Sequence, residues 1–136
     1  MARILGIDYG AKRVGLAATD PLQIIANALT TVRKIDLFDY LSDYFEKEEV
    51  EAIVVGEPKQ RDGSASEIES EIKGFVRNFK KKYPNIEVIR HDERFTSSMA
   101  QQSLIDSGLK KKDRQKKELV DQVAADIILN SYLQSR

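Results

Sequence analysis

The sequence predicts an α/β sandwich with a mixed five-stranded sheet flanked by helices, and three observations predict it. Segments with strand character and segments with helical periodicity follow in the order three strands, helix, strand, helix, strand, then helices. The short continuous apolar run Ala52-Ile53-Val54-Val55-Gly56 suits a central strand covered on both faces. With 136 residues, 41% hydrophobic and 32% charged, the chain has the size and composition of one domain with one core. No internal repeat and no linker divides it, so residues 1–136 are read as a single domain.

Taken in order, residues 3–9 and 13–19 are β-like and joined by the turn-prone Gly10-Ala11-Lys12, which predicts a hairpin. A third extended stretch, about 26–32, follows. Leu37, Leu41, Tyr44 and Phe45 recur at helical spacing ahead of the apolar run that forms the fourth strand. Ser64 and Glu67 make a capping-box pattern before Ile68, Ile72, Phe75, Val76 and Phe79, a second helix that must end near Pro84. Residues 86–91 form the fifth strand. Thr96 is placed to cap a short helix closed by Gly108, and a last helix runs from about Glu118 to Leu133.

Composition removes several chemistries. With no cysteine there is no disulfide framework, thiolate zinc site or thiol nucleophile, and one histidine cannot build an imidazole cage, so any metal must be held by oxygen. No apolar run approaches the ~18 residues of a membrane span, and the start MARILGIDYG lacks a cleavable signal pattern, which makes a cytoplasmic location the default expectation. The 22 basic and 22 acidic residues balance, but unevenly along the chain. Residues 36–51 hold seven acids against one lysine and would repel phosphate; residues 109–117 (LKKKDRQKK) hold six cations against one acid, either a solvated loop or a polyanion contact.

Two carboxylates stand where carboxylates are unexpected. At 100° per residue, Gln122, Asp126 and Asn130 form one stripe of the last helix, while Asp121 falls on the side of Ala124, Ala125 and Ile128. There an unpaired charge would cost several kcal/mol, so Asp121 needs a cation, a donor or water. The alternative is a helix that starts later, with Asp121 in its first turn facing the dipole. Asp8 shares a strand face with Ile4 and Gly6 and sits at the carboxyl end, where ligands collect in open α/β sheets, although an Asp before Tyr9-Gly10 is also an ordinary turn residue. The fifth strand ends in His91-Asp92-Glu93-Arg94, and parity alone does not decide whether Asp92 or Glu93 points inward. His91 reads as packed or solvent-facing rather than as a ligand. Asp8, an acid from the Asp92-Glu93 pair, and Asp121 come from separated segments that this topology can bring together. Three carboxylates without thiolates suit Mg2+ or Mn2+, and two such ions ~4 Å apart activate a water and stabilise the leaving oxygen of a phosphodiester.

These same residues make the chain resemble the YqgF family, the RNase H-like nucleases once described as Holliday-junction resolvase homologues and now linked to maturation of small-subunit ribosomal RNA. The resemblance spans nearly the whole chain: Gly6-Ile7-Asp8-Tyr9-Gly10 with Lys12-Arg13 and Gly15-Leu16-Ala17, Val55-Gly56 with Pro58-Lys59 and Asp62-Gly63-Ser64, Asp92-Glu93-Arg94 with Thr96, and Asp121 with Ala124-Ala125. It implies one RNase H-like nuclease domain in which Asp8, Glu93 and Asp121 carry metal-dependent chemistry. Glu57 departs from the pattern, since the family commonly has an apolar residue there; it reads either as a fourth acid of the site or as an exposed loop glutamate.

Around the acids, Lys12, Arg13, Lys59, Arg61, Arg94 and Lys117 are candidates to neutralise substrate phosphates, some of them ordinary surface cations. Tyr9 and Phe95 flank the acids as candidate stacking platforms or core residues. The expected partner is nucleic acid, an RNA precursor or branched DNA, met by a monomer or weak homodimer without a membrane. Two competing functions are a non-catalytic nucleic-acid binder on the same fold and a phosphotransferase of the sugar-kinase and actin type, which needs two such domains around ATP where this chain has one.

Overall fold

An antiparallel hairpin begins the sheet. Strand β1 (Arg3–Tyr9) pairs with β2 (Arg13–Thr19), Leu5 opposite Ala18 and Asp8 opposite Gly15. At the turn the Gly10 N–H donates to the Arg13 carbonyl at 2.9 Å, and a Cβ on residue 10 would stand 2.6 Å from that oxygen, so glycine is needed for space. A second turn follows, in which the Asp20 carboxylate accepts the N–H groups of Leu22, Ile24 and Ile25; these bonds, that of Ile25 first, hold its pKa below the usual value. The chain then returns antiparallel as β3 (Ala26–Arg33). A 3-10 turn leads into α1 (Leu37–Lys47), and β4 (Val50–Glu57) comes back parallel to β1. Helix α2 (Glu69–Lys82) crosses over to β5 (Glu87–Asp92), parallel to β4, and α3 (Lys117–Ser135) ends the fold. The computed structural model describes residues 2–10, 12–57, 68–92 and 117–135, with side chains in the last segment from residue 124.

The sheet order is β3-β2-β1-β4-β5, the mixed five-stranded sheet that the alternation of segments predicts. Strand alternation sorts its side chains onto two faces. Leu5, Ile7, Val14, Leu16, Ile53 and Val55 pack with Leu37 and Leu41 of α1 and with Ile72, Phe75 and Phe79 of α2. Ile4, Ala17, Ala52 and Val54 pack with Ala125, Ile128 and Leu129 of α3. Small residues bring α3 close: a Cβ on Gly6 would lie 2.8 Å from Leu129 Cβ and 3.0 Å from the Ala125 carbonyl oxygen.

Element boundaries differ from the sequence reading mainly where pairing extends them. β4 runs from Val50 to Glu57, beyond the apolar run, because its flanking residues join the ladders to β1 and β5. α3 begins at Lys117, so Asp121 is its fifth residue, beyond the first turn in which the helix dipole would account for it. The acids of residues 36–51 are divided among the 3-10 turn, α1, the turn after it and β4; Glu48 accepts from Arg3 at 3.1 Å and Asp36 from Arg33 at 3.0 Å. The Ser64/Glu67 box, the Thr96–Gly108 helix and the basic run before Lys117 lie outside the described residues.

Candidate active site

Because β1, β4 and β5 are parallel, their carboxyl ends share one edge of the sheet, and each ends with or just after an acid: Asp8 in β1, Glu57 in β4, Asp92 in β5. The two faces separate them. Asp8 follows Ile4 and Gly6 onto the α3 face, half-buried, with the side-chain-free Gly15 beside it on β2. On β5, Val88 packs into the α1/α2 core and Arg90 reaches α2, whereas Ile89 packs on the α3 side and His91 meets α3; Asp92 therefore alternates onto the face opposite Asp8. Glu57, two residues after Val55 and paired with Asp92, does the same. Cross-strand packing thus puts Asp92 and Glu57 on the α1/α2 side of the sheet and Asp8 on the α3 side.

Arg90 was not among the residues the sequence singled out, yet it organises this edge. Its Nη2 donates to Glu69 Oε1 at 2.6 Å and Oε2 at 3.2 Å and to the Gly56 carbonyl at 3.1 Å, while Nε donates to the Val55 carbonyl at 3.3 Å. One guanidinium thus ties the ends of β4 and β5 to the first turn of α2. Glu69 is buried, 5% exposed, so the pair is desolvated and depends on this full set of donors. Only the triple coincidence of a buried acid, a strand cation and two strand carbonyls reveals it, and nothing in the linear pattern around Glu69 marks it.

The remaining expected residues fall as follows. Lys12 is exposed and Arg13 half-buried at the β1–β2 turn, next to Asp8 in the hairpin. Tyr9 is a core residue: its ring packs 5.5 Å from that of Phe75 and under Lys34 Nζ, and burial together with Glu71 raises its pKa. His91 hydrogen bonds Ser131 at 2.9 Å and packs edge-on to Tyr132, the packed role expected of it. The backbone of Asp121 lies one helical turn before Ala125, the residue whose carbonyl abuts Gly6 on Asp8's own face. Glu93, Lys59, Arg61, Arg94 and Phe95 lie outside the described residues, as do the side chains of Lys117 and Asp121. Among the described residues no three His, Asp or Glu side chains converge as a metal site. Asp8 offers carboxylate oxygens, the chain has no thiol, and its one imidazole is engaged by Ser131; this donor chemistry fits a hard divalent cation.

A family model described as "RuvX: Holliday junction resolvase" matches residues 2–135. The chain belongs to the RuvX family. Among its relatives in the family, a Flavobacterium johnsoniae protein is 56% identical over 136 residues, covering 100% of this chain and 99% of the relative, and a Phocaeicola vulgatus protein is 57% identical over 136 residues, covering 100% and 98%. Both carry the name "Putative pre-16S rRNA nuclease". Solved structures of similar fold include a fowlpox virus Holliday junction resolvase, 18% identical with a TM-score of 0.56 over 98% of this chain and 99% of that one. T. thermophilus RuvC in complex with a Holliday junction substrate is also 18% identical, with a TM-score of 0.59 over 100% and 96%. At that identity the likeness establishes the RNase H-like fold, which the family resemblance implied.

Proposed function

We propose that the chain is a divalent-metal-dependent nuclease that hydrolyses phosphodiester bonds of structured nucleic acid, with the small-subunit ribosomal RNA precursor as its substrate in the cytoplasm. The observation that carries this reading is the position of Asp8: a half-buried carboxylate at the carboxyl end of the central strand, on the face that α3 covers, in a chain matched over 2–135 by a resolvase family. The names of the relatives direct the choice of RNA.

In this mechanism Asp8, Glu93 and Asp121 would hold the metal through their carboxylate oxygens, and a divalent ion there would supply activation of the attacking water and charge compensation for the departing oxygen. The reading assigns this role to Glu93 and not to Asp92, because Asp92 alternates onto the face opposite Asp8. Lys12, Arg13, Lys59, Arg61, Arg94 and Lys117 offset the charge of the phosphates so that a polyanion can approach three acids. Arg90 keeps the β4 and β5 ends in register with each other and so positions the edge.

The test is cleavage of a ribosomal RNA precursor beside a four-way DNA junction, each titrated with Mg2+ and Mn2+, for the native chain and Asp8→Asn. Removal of one metal-holding carboxylate should abolish hydrolysis while thermal unfolding stays cooperative. Near-native cleavage by Asp8→Asn would remove Asp8 from the mechanism. Preference for the junction would move the substrate to branched DNA, the second reading, which the family's description favours.

A further inference from the structure

The outer face of α2 carries cations that neither the hairpin nor the proposed metal site uses. Lys73, Arg77, Lys80 and Lys81 recur at steps of four, three and one, which places them along one side of the helix. With Val76 and Arg90 they line an open cleft of about 480 Å3 where α2 faces β5, the edge strand of the sheet. Arg90 is committed to Glu69 and to two strand carbonyls. Lys73, Arg77, Lys80 and Lys81 are exposed and form no ion pair with any described residue. The neighbouring helix has the opposite sign: α1 packs on α2 through the Phe38–Phe75 and Phe45–Phe79 ring contacts and turns Asp39, Asp43 and Glu46 outward. A polyanion near this side of the molecule is therefore drawn to α2 and β5 and repelled from α1.

The cleft also has a direction. Its Arg90 end adjoins the carboxyl edge, since Arg90 bonds the Gly56 carbonyl and Glu69 begins α2. From there α2 runs away from that edge, because Lys82 leads through a short turn to Glu87, the amino end of β5. From Lys73 to Lys81 the row extends roughly 12 Å at 1.5 Å per residue, which matches about three phosphates of one strand at 3.4 Å per charge along a duplex. Val76 and the aliphatic stems of the lysines give the floor an apolar surface on which a sugar-phosphate backbone can lie while the charged heads reach its oxygens.

We propose that this cleft is a phosphate-backbone groove that holds the flank of a nucleic acid whose scissile bond sits at the carboxyl edge of the sheet. The proposal rests on the nuclease reading and extends it by naming where substrate outside the cleaved bond is held. Such contacts are made by substrate and transition state alike, so they act on capture and leave the bond-breaking step alone. They require length: a strand too short to leave the edge gains nothing from them.

The experiment compares the native chain with a variant carrying Lys73→Gln, Arg77→Gln, Lys80→Gln and Lys81→Gln. Affinity for a long, stem-containing RNA and for a short oligonucleotide confined to the active edge is measured across a salt series without divalent metal. The long RNA should bind the variant more weakly, with a log-log salt slope smaller by about 2 to 3 units, three contacts at roughly 0.7 to 0.9 each. Affinity for the short strand should be unchanged, as should the single-turnover cleavage rate at saturating protein. An unchanged slope for the long RNA overturns the proposal, and so does an equal loss for both ligands, which would reflect overall charge rather than a groove. Arg77→Lys alone, which keeps the charge, should preserve the slope. Because binding is read without cleavage, a failure of Asp8→Asn to abolish hydrolysis would refute the metal-site reading and leave this result standing by itself.

Discussion

On the α1/α2 face the sheet offers Leu5, Ile7, Leu16, Ile53 and Val55 to the rings of Phe38, Phe45, Phe75 and Phe79, whereas on the α3 face it offers Gly6, Ala17, Ala52 and Val54 to Ala125, Ile128 and Leu129. Large side chains bury more apolar area per residue, so the first face supplies most of the hydrophobic free energy. Small side chains bring a helix axis close to the strands, and the backbone of α3 is within contact of Gly6. The difference separates two tasks: one face makes the domain stable, and the other holds a helix close beside the strand end that carries Asp8.

The largest test of that separation is Phe79→Ala. Phe79 is fully buried and packs against the rings of Phe45, Phe75 and Tyr83. Its truncation should cost about 3 to 5 kcal/mol in urea or thermal unfolding. At a temperature where the variant remains folded, cleavage per folded molecule should be close to native. Loss of activity in parallel with stability would show that the two faces are not separate.

Gly6→Ala should do the reverse. The added methyl would lie 2.8 Å from Leu129 Cβ and 3.0 Å from the Ala125 carbonyl, so α3 must shift. Overpacking of this kind costs roughly 1 to 3 kcal/mol, less than the Phe79 cavity. Activity should suffer more, since a displacement near 1 Å between catalytic groups can cost on the order of 100-fold. Single-turnover rates beside unfolding curves would measure both, and a destabilised variant with a native rate would detach α3 from the chemistry.

What the linear pattern disclosed follows from the same contrast. Strands β1 and β2 were legible to the residue because their alternation is bounded by Gly10, and α2 because Ile72, Phe75 and Phe79 recur at helical spacing above an aromatic core. Asp8 was legible as an acid on the Ile4 and Gly6 face. The facing of Glu57 and Asp92 was not, since it is set by which strand residues meet α2 and which meet α3, a tertiary fact. Arg90 escaped notice because its acid, Glu69, is 21 residues away and its other partners are backbone carbonyls. The α2 cations escaped notice because Lys73 and Arg77 are spread at helical spacing and the run Lys80-Lys81-Lys82 is half the size of the six-cation stretch at 109–117. Glu93 and the side chain of Asp121 lie outside the described residues, and their part in the chemistry belongs to the proposal.

The smallest expected effect concerns the polar stripe of α3, which fastens the helix to the start of β3, the edge strand opposite β5. Asn130 Oδ1 accepts the Ala26 N–H at 3.1 Å, and its Nδ2 donates to the Ala26 carbonyl at 3.4 Å and to Asp126 Oδ1 at 2.7 Å. Burial raises the pKa of Asp126, and the Asn130 hydrogen bond opposes that shift only in part. A raised carboxyl pKa means that the folded state binds its proton more tightly than the unfolded chain. Folding is therefore unpenalised below the unfolded value near 3.9, and stability falls as pH rises from there through the folded pKa. Asp126→Asn removes the charge and keeps an oxygen able to accept from Asn130. The variant should be slightly more stable than the native chain at neutral pH, and the gain should vanish as pH falls toward about 3.9. Thermal unfolding from pH 3 to 8 measures it, with Asn130→Ala as the contrasting variant that loses both bonds to Ala26 at every pH. A native chain that instead gains stability over Asp126→Asn as pH rises would show that the Asp126 carboxylate is held by a stronger donor than Asn130, and that this stripe of α3 has a second partner.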